Sequence, residues 1–355
     1  MEGTGLVLAG GGGKGIYQVG MIKSLAEAGL LNDIVAVSGT SIGSVNAVLF
    51  SEGIAEYYLD KSGTTDGDKS EAIKHAVNQM EKVWDEIDFG VFFNVDTTGL
   101  KAGDSHFSRN ATSVLIDKYL NYDLFTPGED TEQNKVIPTI CTCARCPEYV
   151  NTYEKITEEE LKLLTTASPE ETYADYSVDY ISLNDKIKED IKNIILATTA
   201  LPVIYSPVNY KDALYIDGGV KDNVPIKPLY DMGIRRFIVI ELTGKSCIKN
   251  IEAYSDAEII DILPSHDLGK LLSGTMNFDK EDKAVKKEIG IRDGKRYVKT
   301  LFEKDEIYIQ LESELAKRDY DSIIQQRDFD RKYNAFDKDI SSRFDYIKNI
   351  EDSFK

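Results

Sequence analysis

Gly39-Thr40-Ser41-Ile42-Gly43 sets a serine between two glycines in the pattern Gly-x-Ser-x-Gly. The apolar run Ile34-Val35-Ala36-Val37 precedes it, and Ser44-Val45-Asn46-Ala47-Val48-Leu49-Phe50 follows as a segment able to open a helix. A strand, a tight turn and a helix would lift the Ser41 hydroxyl out of the backbone at a strained corner. Glycines flank such a serine because a side chain on either side would crowd the turn. The N-terminus of the helix behind it favours negative charge beside the hydroxyl. The chemistry on offer is nucleophilic attack by Ser41. The competing reading, for the motif alone, is a plain Gly/Ser turn.

A second feature lies upstream. Leu6-Val7-Leu8-Ala9 reads as a buried strand, Gly10-Gly11-Gly12-Gly13-Lys14-Gly15 follows at once, and Tyr17, Val19, Met21, Ile22 and Leu25 then take helical spacing. Consecutive glycines leave backbone N–H groups uncovered at a helix N-terminus, where they can hold a phosphate or the oxyanion of an acyl transfer. Gly10-x-Gly12-x-x-Gly15 also fits the dinucleotide fingerprint, which wants an acidic residue at the end of the second strand. Here that strand ends at Ser38-Gly39 and Asp33 stands before it. A P-loop fails as well, since Lys14 is followed by Gly15 and not by Ser or Thr.

The third feature is Tyr215-Ile216-Asp217-Gly218-Gly219, with Asn223-Val224-Pro225 just behind. Asp217 ends a short strand before a Gly-Gly turn, and taken singly it is an aspartate that caps the turn. Histidine content bears on the mechanism, because a Ser-His-Asp hydrolase needs an imidazole base. The chain has three histidines, His75, His106 and His266. Only His266 follows Asp217, as the α/β-hydrolase chain order would require.

Together these residues resemble the patatin-like phospholipase family. The glycine loop is similar to its Gly-Gly-Gly-x-Lys/Arg-Gly element, Ser41 to its Gly-x-Ser-x-Gly serine and Asp217 to its Asp-Gly-Gly aspartate. Ala197-Thr198-Thr199-Ala200-Leu201-Pro202 and Ser206-Pro207-Val208 resemble its Ala-Ser-x-Ala-x-Pro and Pro-Val segment, with Thr198 where the family usually has Ser. Pro264-Ser265-His266-Asp267-Leu268-Gly269 resembles a stretch of bacterial members. The motifs stand in the family's order over roughly residues 5–280. The resemblance implies a patatin-like three-layer α/β/α fold and a lipid acyl hydrolase of the phospholipase A or lysophospholipase type. It implies a Ser41–Asp217 dyad without metal or cofactor, and a region of about residues 51–135 that covers the site as a lid.

In that dyad Asp217 accepts the proton of Ser41 Oγ, directly or through a water. An ordinary aspartate is a weak base at neutral pH, and burial would raise its basicity. The N–H groups of Gly11, Gly12 and Gly13 are the candidate oxyanion donors, and losing one such donor typically costs about 3–4 kcal/mol of transition-state stabilisation. Lys14 reads as a contact for a lipid phosphate or as a solvated charge at the helix start. Two alternatives stay open from the residues alone. One is a Ser-His-Asp esterase using His266. The other is a non-catalytic protein whose glycine loop clamps an anion or nucleotide.

Composition bounds these readings. A chain of 355 residues, 42% hydrophobic, can bury a large core in one domain plus an extension. A formal charge of −19 repels nucleic acid and opposes docking on anionic membranes by bulk electrostatics. A bilayer substrate would then be met transiently, through a local patch. Val83-Trp84, Phe89, Val91-Phe92-Phe93 and Phe107 are the candidates, and the core of the insertion after Ser41 is their other reading. No run reaches membrane-spanning length and no signal region opens the sequence, so a cytoplasmic protein, peripheral at membranes, is expected. Of the four cysteines, Cys141, Cys143 and Cys146 suggest a metal site, but their strand-like setting favours buried thiols.

Strands are expected at Leu6–Ala9, Ile34–Val37, Val136–Cys143, Ala213–Ile216 and Phe237–Leu242, with helices between most of them. The alternation predicts an α/β fold with a mainly parallel central sheet flanked by helices. Residues 153–190 read as an acidic, helical surface excursion. Residues 1–299 form the hydrolase domain in this division, and 300–355 a charged, mostly helical C-terminal extension. That extension packs on the core or binds a protein partner or activator.

Overall fold

The computed structural model describes residues 2–60, 68–88, 109–126, 136–148, 150, 172–202 and 204–303. Strand β1, Thr4–Leu8, is buried along its whole length. Its side chains alternate between faces, Leu6 and Leu8 joining one apolar cluster and Val7 another. Strand β7, Arg236–Ile240, divides in the same way, with Ile238 and Ile240 on one face and Phe237 and Val239 on the other. Strands apolar on both faces belong inside a parallel sheet covered on each side.

The other strands are β2 (Ile34–Thr40), β3 (Thr139–Arg145), β4 (Ser177–Ser182), β5 (Val208–Tyr210), β6 (Ala213–Asp217) and β8 (Glu258–Ile262). They form one eight-stranded sheet in the order β5-β6-β3-β2-β1-β7-β8, with β4 added to β3. Pairings β3-β2, β2-β1, β1-β7 and β7-β8 are parallel, while β4, β6 and β5 join antiparallel. The mainly parallel sheet is therefore present, with an antiparallel margin. Residues 177–182, expected in a helical excursion, are a strand instead. Their side chains are half-buried or exposed, so no apolar run advertised the pairing, and β3 supplies the ladder that fixes it.

Register on β3 brings distant residues together. Strand β4 runs along Ile140–Arg145, β2 pairs with Thr139–Thr142, and β6 pairs with Cys143–Arg145. A strand has two edges, so β2 and β6 must share one while β4 takes the other. They meet end to end: Thr40 lies opposite Thr142, and Asp217 opposite the next residue, Cys143.

Seven helices are described, α1 (Ile16–Glu27), α2 (Ile42–Asp60), α3 (Lys69–Glu86), α4 (Asn110–Tyr119), α5 (Lys188–Thr198), α6 (Lys227–Asp231) and α7 (Lys280–Glu303). Helix α1 is buried nearly all round, and α3 is amphipathic, turning Ile73, Ala76, Met80, Val83 and Trp84 inward. Helices α1 and α7 cross at backbone contact. A Cβ on Gly20 would stand 2.1 Å from Lys287 O, and one on Gly290 would stand 2.2 Å from Tyr17 O. Tyr17 Oη donates to Asp293 (3.0 Å) and Ser24 Oγ to Ile291 O (2.8 Å) across the same seam. Helix α7 continues past residue 299, the expected end of the hydrolase domain, and residues 304–355 lie outside the described residues. None of the described helices is long and apolar enough to cross a membrane.

The α1–α7 seam makes a direct prediction. Gly20→Ala should lower the unfolding free energy by about 1–3 kcal/mol, because the helices must part to admit the methyl group. Gly244→Ala, whose Cβ would meet nothing within 4 Å, should leave stability unchanged. Thermal melts of the two variants beside wild type test the contrast.

Candidate active site

Ser41 sits between β2 and α2 with φ of 54°, left-handed backbone that a serine adopts only under strain. Its neighbours show what holds it there. A Cβ on Gly39 would lie 2.3 Å from Gly43 O, and one on Gly43 would lie 2.1 Å from Leu8 O. The turn is thus as tight as backbone allows, and only glycine fits on either side of it. Ser44 Oγ closes it by donating to Gly39 O at 2.7 Å. Strand, turn and helix follow one another as the motif predicts, and Ser41 is left half-buried at the corner.

Asp217 is brought to that corner by the shared edge of β3. Its side chain is 4% exposed. The Ser41 hydroxyl favours the ionised form of its carboxylate, and Gly219 N–H donates to Oδ1 at 2.8 Å. The turn-capping reading of Asp217 therefore holds. Loss of water pushes its pKa up from the ordinary 3.8 to about 6, against opposing pulls from Ser41, the Gly219 N–H and the Arg109 charge. A Cβ on Gly218 would lie 2.3 Å from Thr142 O, so the Gly-Gly turn packs directly on β3.

Two residues without a predicted role support this pair. Thr198, at the end of α5, accepts the Ser41 backbone N–H at Oγ1 (3.0 Å) and donates to Thr142 O (2.6 Å). Arg109, from the turn before α4, donates through Nη2 to Leu196 O (2.7 Å) and Thr199 Oγ1 (2.7 Å), and through Nη1 to Thr199 O (2.9 Å). The family segment around Thr198 marked its position in sequence. Nothing local marked Arg109, which sits among polar residues far from both motifs.

The glycine loop reaches the serine from the other side. A Cβ on Gly10 would stand 3.1 Å from Ser41 Cβ. Asn223 ties this loop to the aspartate's turn, donating to Gly10 O at 3.2 Å and accepting Gly10 N–H at its backbone oxygen at 3.3 Å. Gly12–Gly15 is a 3₁₀ turn that leads into α1. The N–H groups of Gly11, Gly12 and Gly13 precede the first helical acceptors, and none of them donates to a described residue. Gly12 has φ of 56°, and Cβ atoms on Gly12 and Gly13 would strike Thr275 O and Asn277 O at 2.1 and 2.0 Å. Beneath the loop a buried chain of hydrogen bonds runs from Trp84 Nε1 to Asn46 Oδ1 (2.8 Å), from Asn46 Nδ2 to Gln18 Oε1 (2.8 Å), and from Gln18 Nε2 to Ala9 O (2.8 Å). Buried polar groups satisfied in this way brace the loop.

The remaining predicted residues fall elsewhere or differ. Lys14 lies half-buried in the 3₁₀ turn before α1, its ammonium pKa lowered by burial and by Lys286, with Asp267 and Cys247 opposing. It is not the freely solvated charge of the second reading. Ser265 Oγ is paired with His266 Nδ1 at 2.7 Å. The groups acting on the Asp217 carboxylate are Ser41, Gly219 and Arg109, so the triad reading gains no support. His75 lies on α3 and His106 outside the described residues. Cys141 and Cys143 are buried in β3 and Cys146 just beyond it, all as free thiols. No group of three or more metal-ligating side chains occurs among the described residues. Val83 and Trp84, considered for membrane docking, are instead core residues, because the amphipathic face of α3 turns them inward and Trp84 stacks on Phe278. Phe89, Val91, Phe92, Phe93 and Phe107 lie outside the described residues.

An apolar pocket opens between α2, α3, α4 and α5, lined by Val45, Val48, Leu115, Ile116, Ile195 and Thr199 among others. Val45 is one turn along α2 from Ser41, its N–H bonded to Ser41 O at 3.3 Å. Thr199 neighbours Thr198, so one wall of the pocket adjoins the serine.

Comparison with known proteins gives an independent reading. The profile of the patatin-like phospholipase family matches residues 6–230. Lysophospholipase nte1 from Aspergillus terreus is 57% identical over 48 residues, which is 14% of this chain and 3% of that protein. Lysophospholipase NTE1 from Cryptococcus neoformans is 26% identical over 239 residues, 67% of this chain and 11% of that protein. The chain thus spans about a tenth or less of the length of these relatives. Among solved structures, VipD from Legionella pneumophila aligns with a TM-score of 0.39 and 13% identity, over 84% of this chain and 67% of that one.

The burial of Asp217 has a consequence for stability. Between pH 3.8 and about 6 the folded protein keeps the Asp217 proton and the unfolded chain releases it. Stability therefore falls as pH rises through that window, and the penalty is complete above it. An interval of this width corresponds to about 3 kcal/mol. Asp217→Asn should accordingly raise stability at pH 8 by up to about that amount, and the gain should vanish near pH 4. Urea unfolding at the two pH values reads the difference.

Proposed function

The chain belongs to the patatin-like phospholipase family, and from that premise we propose that it hydrolyses carboxylic ester bonds of phospholipids or lysophospholipids through Ser41 and Asp217. The observation that carries this reading is the meeting of β2 and β6 on one edge of β3. It delivers a strained serine hydroxyl to a buried carboxylate across 176 residues of chain.

Asp217, with its pKa near 6, is largely ionised at neutral pH and more basic than a free aspartate. It takes the proton as Ser41 Oγ bonds to the ester carbonyl carbon. Negative charge then gathers on the carbonyl oxygen. The Ser41 N–H is committed to Thr198, so the N–H groups of Gly11, Gly12 and Gly13 are assigned to that oxyanion. Collapse breaks the bond to the leaving alcohol, which receives the proton from Asp217 and departs, leaving an acyl group on Ser41. Water, losing a proton to Asp217, attacks the acyl carbon. The fatty acid leaves, and Ser41 recovers its proton. Lys14 is assigned to the substrate phosphate, and the apolar pocket beside Val45 to the acyl chain.

Release of fatty acid from mixed phospholipid and lysophospholipid micelles is the direct test. Ser41→Ala and Asp217→Asn should each abolish it. Wild-type kcat/KM should fall tenfold per pH unit below about 6, as the base of the free enzyme is protonated. Serine-independent turnover, or a profile flat to pH 4, would sink the reading.

A second measurement addresses the pocket. Leu115→Trp fills it from α4 and should lower kcat/KM for long-chain esters about tenfold relative to butyryl esters, the scale of hydrophobic-pocket discrimination. Equal effects on both chain lengths would place the acyl group elsewhere.

A further inference from the structure

The end of α5 and the two residues after it carry a support for each member of the pair. Thr198 Oγ1 accepts the Ser41 N–H at 3.0 Å, and Ala200 O accepts the Asp217 N–H at 2.9 Å. A helix C-terminus leaves carbonyls without intrahelical donors, so such a turn needs an outside partner to hold one shape. The Arg109 guanidinium is that partner. It spans Leu196 O, Thr199 O and Thr199 Oγ1, the residues that bracket and adjoin Thr198 and Ala200. Its plane lies 4.2 Å over the Tyr205 ring.

The electrostatics of this cation are unusual for a helix cap. Burial lowers its pKa to about 10, and its Nε is buried with no acceptor among the described residues. Arg109 forms no ion pair among the described residues, yet its charge acts on Asp217. A buried cation is costly unless other groups offset it. The groups around the Asp217 carboxylate are the Ser41 hydroxyl, the Gly219 N–H, the Cys143 thiol on β3 and Arg109. Burial pushes the Cys143 thiol and the Tyr205 phenol up in pKa, which keeps both uncharged. Arg109 is therefore the permanent charge among these groups.

We propose that Arg109 is the positioning residue of the Ser41–Asp217 pair: it fixes the turn at the end of α5 that carries Thr198 and Ala200. The proposal rests on the hydrolase reading for its kinetic consequence, but its geometry stands on the contacts alone. Arg109 is assigned no contact with substrate.

The experiment compares Arg109→Lys, Arg109→Met and Thr199→Val in the full chain. It measures pH profiles of kcat and KM on lysophosphatidylcholine micelles, and the titration of the Asp217 carboxyl carbon by ¹³C NMR. Arg109→Met should lower kcat about 100-fold, the scale of a misplaced catalytic group, with KM nearly unchanged. Its acid limb and its carboxyl titration should both move to higher pH by about one unit, as expected on losing a nearby opposite charge. Arg109→Lys keeps the charge and loses the fork, so kcat should drop while the limb stays in place. Thr199→Val removes one acceptor and should give a smaller loss of kcat.

If Arg109→Met does not fold, the lysine and valine variants decide. Wild-type kcat in both would overturn the proposal. So would a folded Arg109→Met protein with an unmoved Asp217 titration, since a purely structural cap leaves that titration in place. A wild type without Ser41-dependent hydrolysis would defeat the hydrolase reading, and the NMR titration would still judge Arg109.

Discussion

Burying Asp217 beside Ser41 takes a carboxylate out of water, and much of the surrounding fold answers that demand. The carboxylate accepts the Gly219 N–H, and the Ser41 hydroxyl and the Arg109 charge also favour its ionised form. These offset part of the desolvation and leave the group basic without leaving it neutral at pH 7. A weaker enclosure would return an ordinary aspartate, too weak for the proposed base. A drier one would protonate it. The register on β3 sets the position on which this balance depends, because Thr40 and Asp217 lie opposite consecutive residues of one strand.

Close backbone approach is the second device, and it serves the first. Cβ atoms on Gly12, Gly13, Gly39, Gly43 and Gly218 would each fall within 2.3 Å of a carbonyl oxygen. Such contacts join the glycine loop to residues 275–277, the serine turn to β1, and the aspartate's turn to β3. A turn packed this tightly has little room to relax, which is how a strained φ at Ser41 persists. The buried Trp84–Asn46–Gln18 chain adds directional support from α3, α2 and α1. Each of its members would be costly to leave unpaired, so it favours one arrangement of those helices over near alternatives.

The legibility of the site in sequence divides along the same line. The serine turn, the glycine loop and the Asp-Gly-Gly turn are local in origin, their conformations fixed by residues two or three positions away. Short motifs therefore expose them, and the strands that carry them are apolar enough to show. Thr198 showed in its family segment, but its bond to the Ser41 N–H depends on where α5 ends against β3. Arg109 was invisible because its partners lie 87 to 90 residues away and no pattern around it suggests burial. Trp84 left two readings open in sequence, docking patch or core, and the apolar spacing of α3 places it inside. Strand β4 was missed because its residues are exposed or half-buried and alternate too little to stand out, and the free edge of β3 draws it into the sheet.

Helix α4 links the two halves of this picture. It lies in the region after Ser41 for which a covering role is expected, and it supplies Leu115 and Ile116 to the pocket wall. Arg109 stands at its N-terminus and Lys118 near its C-terminus, the latter paired with Glu86 of α3. Asp117 binds Lys192 of α5 at 2.6 Å. Exposed pairs of this kind contribute little individually, so the seating of α4 depends mainly on its apolar face and on the buried guanidinium. Lifting α4 would then open the pocket, free the α5 turn and strand Asp217 without its counter-charge in one motion. Substrate chains that fill the pocket would favour the seated state by the same contacts. Access for the proposed lipid substrate and alignment of the proposed dyad are then two readouts of a single equilibrium.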